Sequence, residues 1–431
     1  MPASQRFDLV IFGASGFTGK RVVNELARIG KNYPDLTWAV AGRSQSKLEG
    51  VLRDVSEKSG DDLSNIKIIA DADGNDEASI KGMCAQAKVL INCSGPFTKF
   101  GEVVVAACVE FKTHYLDVCG ETQFIELLEE KYDKTAREAG VFIINACGLS
   151  SIPADVGVQF LEENFGGTLN SVESYLITYF PPRMMSEIFN GIVRYSSWES
   201  LITRYILHTF LIVAAVHLKE IGKQPSFNLE PELKQRCLLH KNLSKWCLPF
   251  PGADSFVINR TQRHLLSLEG KRPVQYKPYV AFPGFLTAIG TIIGCIFLFI
   301  LCKIPCTKRL LLNYPRLCSF GAVTYGDPKE GAMDESKFQY EMLGMGWNEG
   351  TDLGKAPDKK VVARISVTGL DPAYTSTAIT IIFSAITILK ERDKMPAAGG
   401  VVTGGVAFRK TSIVKRLQEN NIKFEIVKSS E

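Results

Sequence analysis

No two cysteines in this sequence stand at CxxC spacing, and no histidines form an HxxxH or HExxH pattern. The chain nevertheless holds 11 cysteines. Odd in number and scattered from Cys84 to Cys318, they fit free thiols in a reducing compartment rather than a disulfide framework. The five histidines lack metal-ligand spacing, so no zinc site is expected. A formal net charge of +4, with no basic patch interleaved with aromatics, excludes nucleic acid as a partner. The opening segment MPASQRFDLV has neither the basic nor the apolar region of a secretory signal. No signal peptide is expected, and the sequons at Asn242 and Asn259 would go unused on a cytosolic face. There is no internal repeat, no low-complexity tract and no recognisable Ser/His/Asp or Cys/His nucleophile.

The first twenty residues are rich in what a dinucleotide site needs. An apolar strand, Phe7 to Phe12, runs into Gly13, Gly16 and Gly19 and then into a helical pattern carrying Val22, Val23 and Leu26. A pyrophosphate must approach the bare N–H groups of a helix N-terminus, where the dipole favours negative charge and a Cβ would obstruct it. The spacing is GxxGxxG rather than the commoner GxGxxG, but the strand-to-helix context is the required one. The turn offers Gly13, Ser15, Gly16, Phe17, Thr18 and Gly19 as cofactor-binding residues; the plainer reading is a glycine turn that only packs a helix on a sheet. The second strand, in TWAVAGRS, ends in Arg43, where an NAD enzyme places an acid for the ribose hydroxyls. An arginine suits a 2′-phosphate, so NADP is favoured over NAD, with Ser44 and Lys47 able to assist. Alternatively Arg43 is a solvated charge at a strand end. The third strand, IKIIADAD, brings Asp71 and Asp73 to the mouth of the sheet near the place of an adenine, unless they cap a turn.

Further strands in AKVLINCSGP, THYLDVCGE and GVFIINACG each end in a glycine loop. This alternation predicts an α/β protein whose N-terminal half is a Rossmann doubly wound parallel sheet, with ligands at the carboxyl ends of the strands. SVESYLITYF and VVARISVT read as strands of a second, antiparallel sheet. The expected organisation is an NAD(P)-binding Rossmann domain over 1–150 and a second α+β domain over 151–277 and 303–400. A hydrophobic membrane-associating segment over 278–302 interrupts that domain. A C-terminal part, 401–431, consists of a Gly-rich turn in AAGGVVTGG, a helix and a strand that close the fold.

Pro278 to Cys302 carries no charged residue, and as a helix it would reach roughly 37 Å at 1.5 Å per residue. Lys271, Arg272 and Lys277 precede it, and Lys303, Lys308 and Arg309 follow, which places both flanks on the cytosolic side. Pro283, Gly284, Gly290 and Gly294 allow bends. The prediction is a monotopic insertion, as a hairpin or an in-plane helix, against the alternative of a wholly buried core helix; Cys302 and Cys306 at its edge are candidate acylation sites, with unmodified thiols the favoured reading. Tyr205 to Leu218, uncharged between Arg204 and Lys219, is too short to span and reads as a buried or interfacial helix.

The motifs FGASGFTG, AGRS, NCSGPFTKFGE, LDVCGE, SSIPADVG and WCLPFPGADSFVINRTQR together resemble the saccharopine dehydrogenase family in its animal, lipid-droplet-associated branch, over nearly the whole chain. The resemblance implies an NAD(P)-binding Rossmann domain, a second α+β domain and a lipid-droplet or membrane surface as partner. Bacterial relatives include a trans-acting enoyl reductase of glycolipid assembly, which makes a lipid-linked double bond the implied acceptor. Three places depart from the family pattern. Phe97 and Phe100 replace two tyrosines of GPYxxYGE, Leu149 and Ser150 replace the FD of GFDSIPAD, and the apolar stretch after Arg204 replaces a polar helix.

The loop NCSGPF at the fourth strand end brings Asn92, Cys93, Ser94, Gly95 and Pro96 to the nicotinamide ribose. Asp117 and Glu121 in DVCGE, and Ser150, Ser151 and Asp155 in GLSSIPAD, stand at the next two strand ends. A carboxylate there could act as general acid if burial raised its pKa. The competing readings are capping of the helix TQFIELLEEKYDKTA by Glu121 and of the next helix by Ser151 and Pro153. Two functions compete: a membrane-attached NADP-dependent oxidoreductase acting on a lipid or lipid-like substrate, and a non-catalytic NADP-binding sensor or scaffold of lipid droplets; a third, a soluble amino-acid dehydrogenase, is disfavoured by the apolar run. A homodimer is compatible with either.

Overall fold

The computed structural model describes residues 6–149, 151–182, 191–203, 229–250, 252–326, 335–371 and 373–427. Ser150 and the apolar stretch Tyr205 to Leu218 lie outside them. The chain forms two compact units. One comprises residues 1–159, 256–271 and 373–422, the other 160–255, 272–372 and 423–431.

The first unit is built on the strands β1 (Phe7–Phe12), β2 (Trp38–Ala41), β3 (Lys67–Ile69), β4 (Ala87–Asn92), β5 (His114–Asp117) and β6 (Phe142–Ile144). They alternate with the helices α1 (Phe17–Gly30), α2 (Gln45–Ser59), α3 (Glu77–Cys84), α4 (Phe97–Glu110) and α5 (Thr122–Ala139), and α6 (Ser151–Glu163) follows β6. The sheet order is β3-β2-β1-β4-β5-β6 and then the strand Gly400–Val402, all parallel. β1 and β4 are fully apolar at their centres, with Leu9, Val10, Ile11, Val89, Leu90 and Ile91 at zero exposure. A parallel sheet covered by helices on both faces buries its strands on both sides. The order reverses between β1 and β4, which is the switch point where such sheets bind ligands.

Two segments late in the chain complete this unit. The helix Thr375–Lys390 is buried from Thr375 to Ile388, and the segment read from sequence as a Gly-rich turn supplies the strand Gly400–Val402 beside β6. Residues 256–271 and 373–400, placed by sequence in the second domain, thus pack with the first sheet.

The second unit holds a seven-stranded sheet. Its order is Ile422–Val427, Lys359–Val367, Lys337–Asn348, β7 (Gly167–Tyr179), Gln275–Phe282, Lys245–Pro249 and His240–Asn242. The sheet is mixed rather than antiparallel: Gln275–Phe282 runs parallel to β7. Parallel neighbours need a long crossover, and the chain between Tyr179 and Gln275 is long enough to provide one. The last strand, expected to close the fold, joins this sheet at its edge.

The apolar run divides as well. Pro278 to Phe282 belongs to the strand paired with β7, and a helix, Phe285–Lys303, starts only after Pro283 and Gly284. A buried strand and an apolar helix cannot be told apart by composition alone. The helix has 19 residues, about 28 Å at 1.5 Å per residue. Only Ala288 in it is buried, so it is no core helix. It is long and apolar enough to cross a membrane.

Candidate functional site

A cleft of about 330 Å³ opens at the switch point of the first sheet. The β1–α1 turn contributes Gly13, Ser15 and Gly16; the β2–α2 connection contributes Gly42 and Arg43, and the first turn of α2 contributes Lys47. Ala72, Asp73, Gly74 and Asn75 come from beyond β3, and Cys93, Ser94, Gly95 and Phe100 from the β4 end.

The glycines here are steric requirements. Gly13 has φ +78°, and a Cβ on it would lie 2.9 Å from the Ser94 nitrogen. A Cβ on Gly19 would lie 2.2 Å from the Gly13 carbonyl oxygen and 2.7 Å from the Ala14 Cα, well inside contact distance. The first turn of α1 therefore stays pressed against the loop it follows. Its N-cap residue, Gly16, has no side chain to cap it and lines the cleft with Gly13 and Ser15, at the helix end whose dipole favours an anion.

Of the residues read from sequence as cofactor contacts, Gly13, Ser15, Gly16, Arg43, Ser94 and Gly95 line this cleft. The others lie beside it. The Phe17 ring is buried edge-on to Tyr374, 4.4 Å between centroids. Thr18 and Gly19 lie in α1, Ser44 accepts from the Lys47 N–H as the cap of α2 (3.4 Å), and Pro96 is the residue before α4. Asp71 is exposed, with φ +63°, and it is Asp73 that reaches the cleft. Its carboxylate accepts from the backbone and side-chain N–H of Asn75 (both 3.0 Å). Those bonds, with help from the Arg43 charge, hold it below its ordinary pKa. Gly74 and Asn75 were missed; a Gly-Asn pair just past a strand end is a turn signal that could have found them.

The candidate acids are all engaged elsewhere. Asp117, fully buried, accepts from the N–H of Cys119 (3.0 Å), the N–H of Ala146 (2.9 Å) and Asn145 Nδ2 (2.7 Å). Burial nonetheless pushes its pKa up to about 6, against the pull of those donors. Glu121 does not cap its own helix: its two oxygens accept from the N–H of Phe97 (3.3 Å) and of Thr98 (2.9 Å). It thereby supplies the negative charge that the N-terminus of α4 favours. The Asp155 Oδ2 accepts from Thr261 Oγ1 (2.8 Å) and the Gly405 N–H (2.6 Å), and burial lifts its pKa to about 7. None of the three lines the cleft. Cys93 does, but burial and the nearby Asp117 push its thiol to about 12, leaving it neutral and a poor nucleophile.

The departures from the family pattern have local consequences. Phe100 packs over Gly74 at the cleft wall, Phe97 is buried 6.2 Å from the Phe124 ring, and the Leu149 N–H donates to Thr377 Oγ1 (3.1 Å). Among the described residues no group of His, Cys, Asp and Glu could hold a metal ion.

Comparison with known proteins gives this geometry a family. Residues 9–144 match the family model of the saccharopine dehydrogenase NADP binding domain, which assigns NADP to the first sheet. The chain is 37% identical to the lipid droplet localized protein of Caenorhabditis elegans, covering 98% of each. It is 36% identical to the saccharopine dehydrogenase-like oxidoreductase of Mus musculus over 100% of both. Among solved structures, apo saccharopine dehydrogenase (L-Glu forming) from Saccharomyces cerevisiae superposes with a TM-score of 0.53 over 97% of this chain and 99% of that one, at 16% identity. That likeness is one of fold. With full-length identity of this order to its relatives, the chain belongs to the saccharopine dehydrogenase-like oxidoreductases, and its first sheet is their NADP-binding domain.

Proposed function

We propose that this protein is a lipid-surface-attached oxidoreductase that uses NADPH to reduce an enoyl or keto group of a lipid or lipid-linked acceptor. The cleft fits the cofactor because a Cβ at Gly13 would fill its wall and two cations, Arg43 and Lys47, flank one end. In this reading Gly13, Ser15 and Gly16 with the α1 N-terminus hold the pyrophosphate, assisted by Phe17, Thr18 and Gly19, which fix the turn. Arg43, Ser44 and Lys47 receive the 2′-phosphate. Ser94, Gly95 and Pro96 flank the nicotinamide ribose, and the turn from Asp71 to Asn75 borders the adenine. Bound NADPH supplies a hydride to an electron-poor carbon. The chain's share is to orient the ring, exclude water and offer donors where charge develops. Asp117, Glu121 and Asp155 act as positioning residues for the loops around the cleft, not as proton donors.

The observation that carries the lipid half is the exposed apolar helix Phe285–Lys303. A soluble enzyme would expose roughly 25 cal/mol of unfavourable free energy for each Å² of that surface, whereas a lipid phase accepts it. The lipid-droplet name of one relative and a 37% identity to a trans-acting enoyl reductase of Mycobacterium bovis over 37% of this chain support the same substrate class. The test is to titrate the purified full chain with NADPH and NADH and then follow cofactor oxidation against a panel of enoyl and keto lipids. The expected result is NADPH-dependent turnover with a preference for NADPH over NADH that Arg43→Ala abolishes. Tight NADPH binding without turnover on any lipid would replace this reading with the sensor or scaffold.

A further inference from the structure

From Gly270 to Gly326 the chain contains no Asp or Glu. Within that stretch, the residues that follow the apolar helix form a second feature, separate from the helix itself. The helices Pro305–Asn313 and Pro315–Cys318 come directly after Lys303. Their inner side is fixed to the unit they belong to: Leu311 is buried and its carbonyl accepts from Trp198 Nε1 (2.8 Å), and Pro315 is buried. Their outer side carries Leu310, Leu317 (74% exposed) and Phe320 (81% exposed), with Tyr314 among them. Lys303, Arg309 and Arg316 are exposed beside these groups, and none of the three, nor Lys308, has a carboxylate among the described ion pairs.

A packed surface that alternates large apolar side chains with cations that have no carboxylate partner among the described residues satisfies neither water nor a hydrocarbon interior. It satisfies a headgroup layer, where aromatic and aliphatic groups reach the acyl boundary while Lys and Arg extend to phosphates. We propose that residues 303–320 are an anionic-phospholipid-binding collar, which selects the charge of the surface into which the neighbouring helix inserts. This rests on the lipid-surface reading above, but makes a separate claim: the helix supplies attachment, and the collar supplies preference for negative headgroups.

The test uses the full chain with two vesicle compositions, phosphatidylcholine alone and phosphatidylcholine with phosphatidylserine, at low and high salt. Each basic residue near such a surface contributes enough that neutralising three costs on the order of 100-fold in partition. Lys308→Gln/Arg309→Gln/Arg316→Gln is expected to lose about that factor on the phosphatidylserine vesicles and nothing on phosphatidylcholine, while retaining NADPH binding as a check of folding. The charge-preserving variant Arg309→Lys/Arg316→Lys should partition as the wild type does, and Leu317→Trp should show a blue-shifted emission on the anionic vesicles. Equal, salt-insensitive binding of the wild type to both compositions overturns the collar and leaves the anchor standing. Binding to neither overturns both.

Discussion

Asp155 offers the sharpest quantitative check of the packing in the NADP-binding unit. It is fully buried, one carboxylate oxygen accepts two hydrogen bonds, and Oδ1 has no hydrogen-bond partner among the described residues. Burial raises its pKa from 3.8 to about 7. A carboxyl with a raised folded-state pKa contributes stability that is complete below pH 3.8 and declines as pH rises through 7, because the folded state holds the proton longer. At about 1.4 kcal/mol per pH unit the full span is about 4 kcal/mol, of which about 3 kcal/mol falls between pH 5 and 8. Asp155→Asn removes this titration while its carbonyl can still accept from Thr261 and Gly405. The assay is amide exchange of β1 and β4, whose opening reports the stability of the unit, on both proteins across that range. The stability of Asp155→Asn relative to wild type should climb with pH by up to about 3 kcal/mol, whatever constant cost the amide carries. Asp117, also raised, and Glu129, held down to about 2 beside His264 and Arg260, are common to both proteins and cancel. A difference that stays flat from pH 5 to 8 would refute the burial argument.

Gly19→Ala sets two effects against each other. Alanine gains up to about 1 kcal/mol in helix propensity, but its Cβ would meet backbone at 2.2 Å, which cannot yield as a side chain can. The clash should win by 1–3 kcal/mol or more, lowering both Tm and NADPH affinity; a variant with wild-type values of both would show that the turn is not tight. Glu121→Ala removes the cap of α4 and should cost about 1 kcal/mol with turnover nearly intact, whereas a fall of 100-fold or more in turnover would identify Glu121 as a proton donor instead.

The sequence displayed β1 to β6 of the first sheet clearly because each is a short apolar run leading into a glycine-containing loop, and because a Cβ-free turn leaves a visible spacing. Arg43 was legible for a similar reason, since its position is set by local chain length after β1. What could not be read depends on distance along the chain. The partners of Asp155 are Thr261 and Gly405, and Glu121 caps a helix that begins before it in sequence. The helix Thr375–Lys390 is buried on every side, so it lacks the polar face that gives a helix its period, and its threonines and isoleucines favour a strand locally. The three-residue strand Gly400–Val402 is flanked by glycines that suggest a turn, and only the edge of β6 makes it a strand.

The apolar helix Phe285–Lys303 is joined to the strand Gln275–Phe282 by Pro283 and Gly284 alone. A tether of Gly and Ser would let an anchored enzyme tumble above its surface. Here the strand is fixed in register against β7 over seven residue pairs, and the Trp246 ring packs 4.8 Å from that of Phe285. Any lipid surface that receives the helix therefore also sets the direction of the sheet behind it. The second unit would meet such a surface at one angle, with the rotational freedom of docking already removed by the fold.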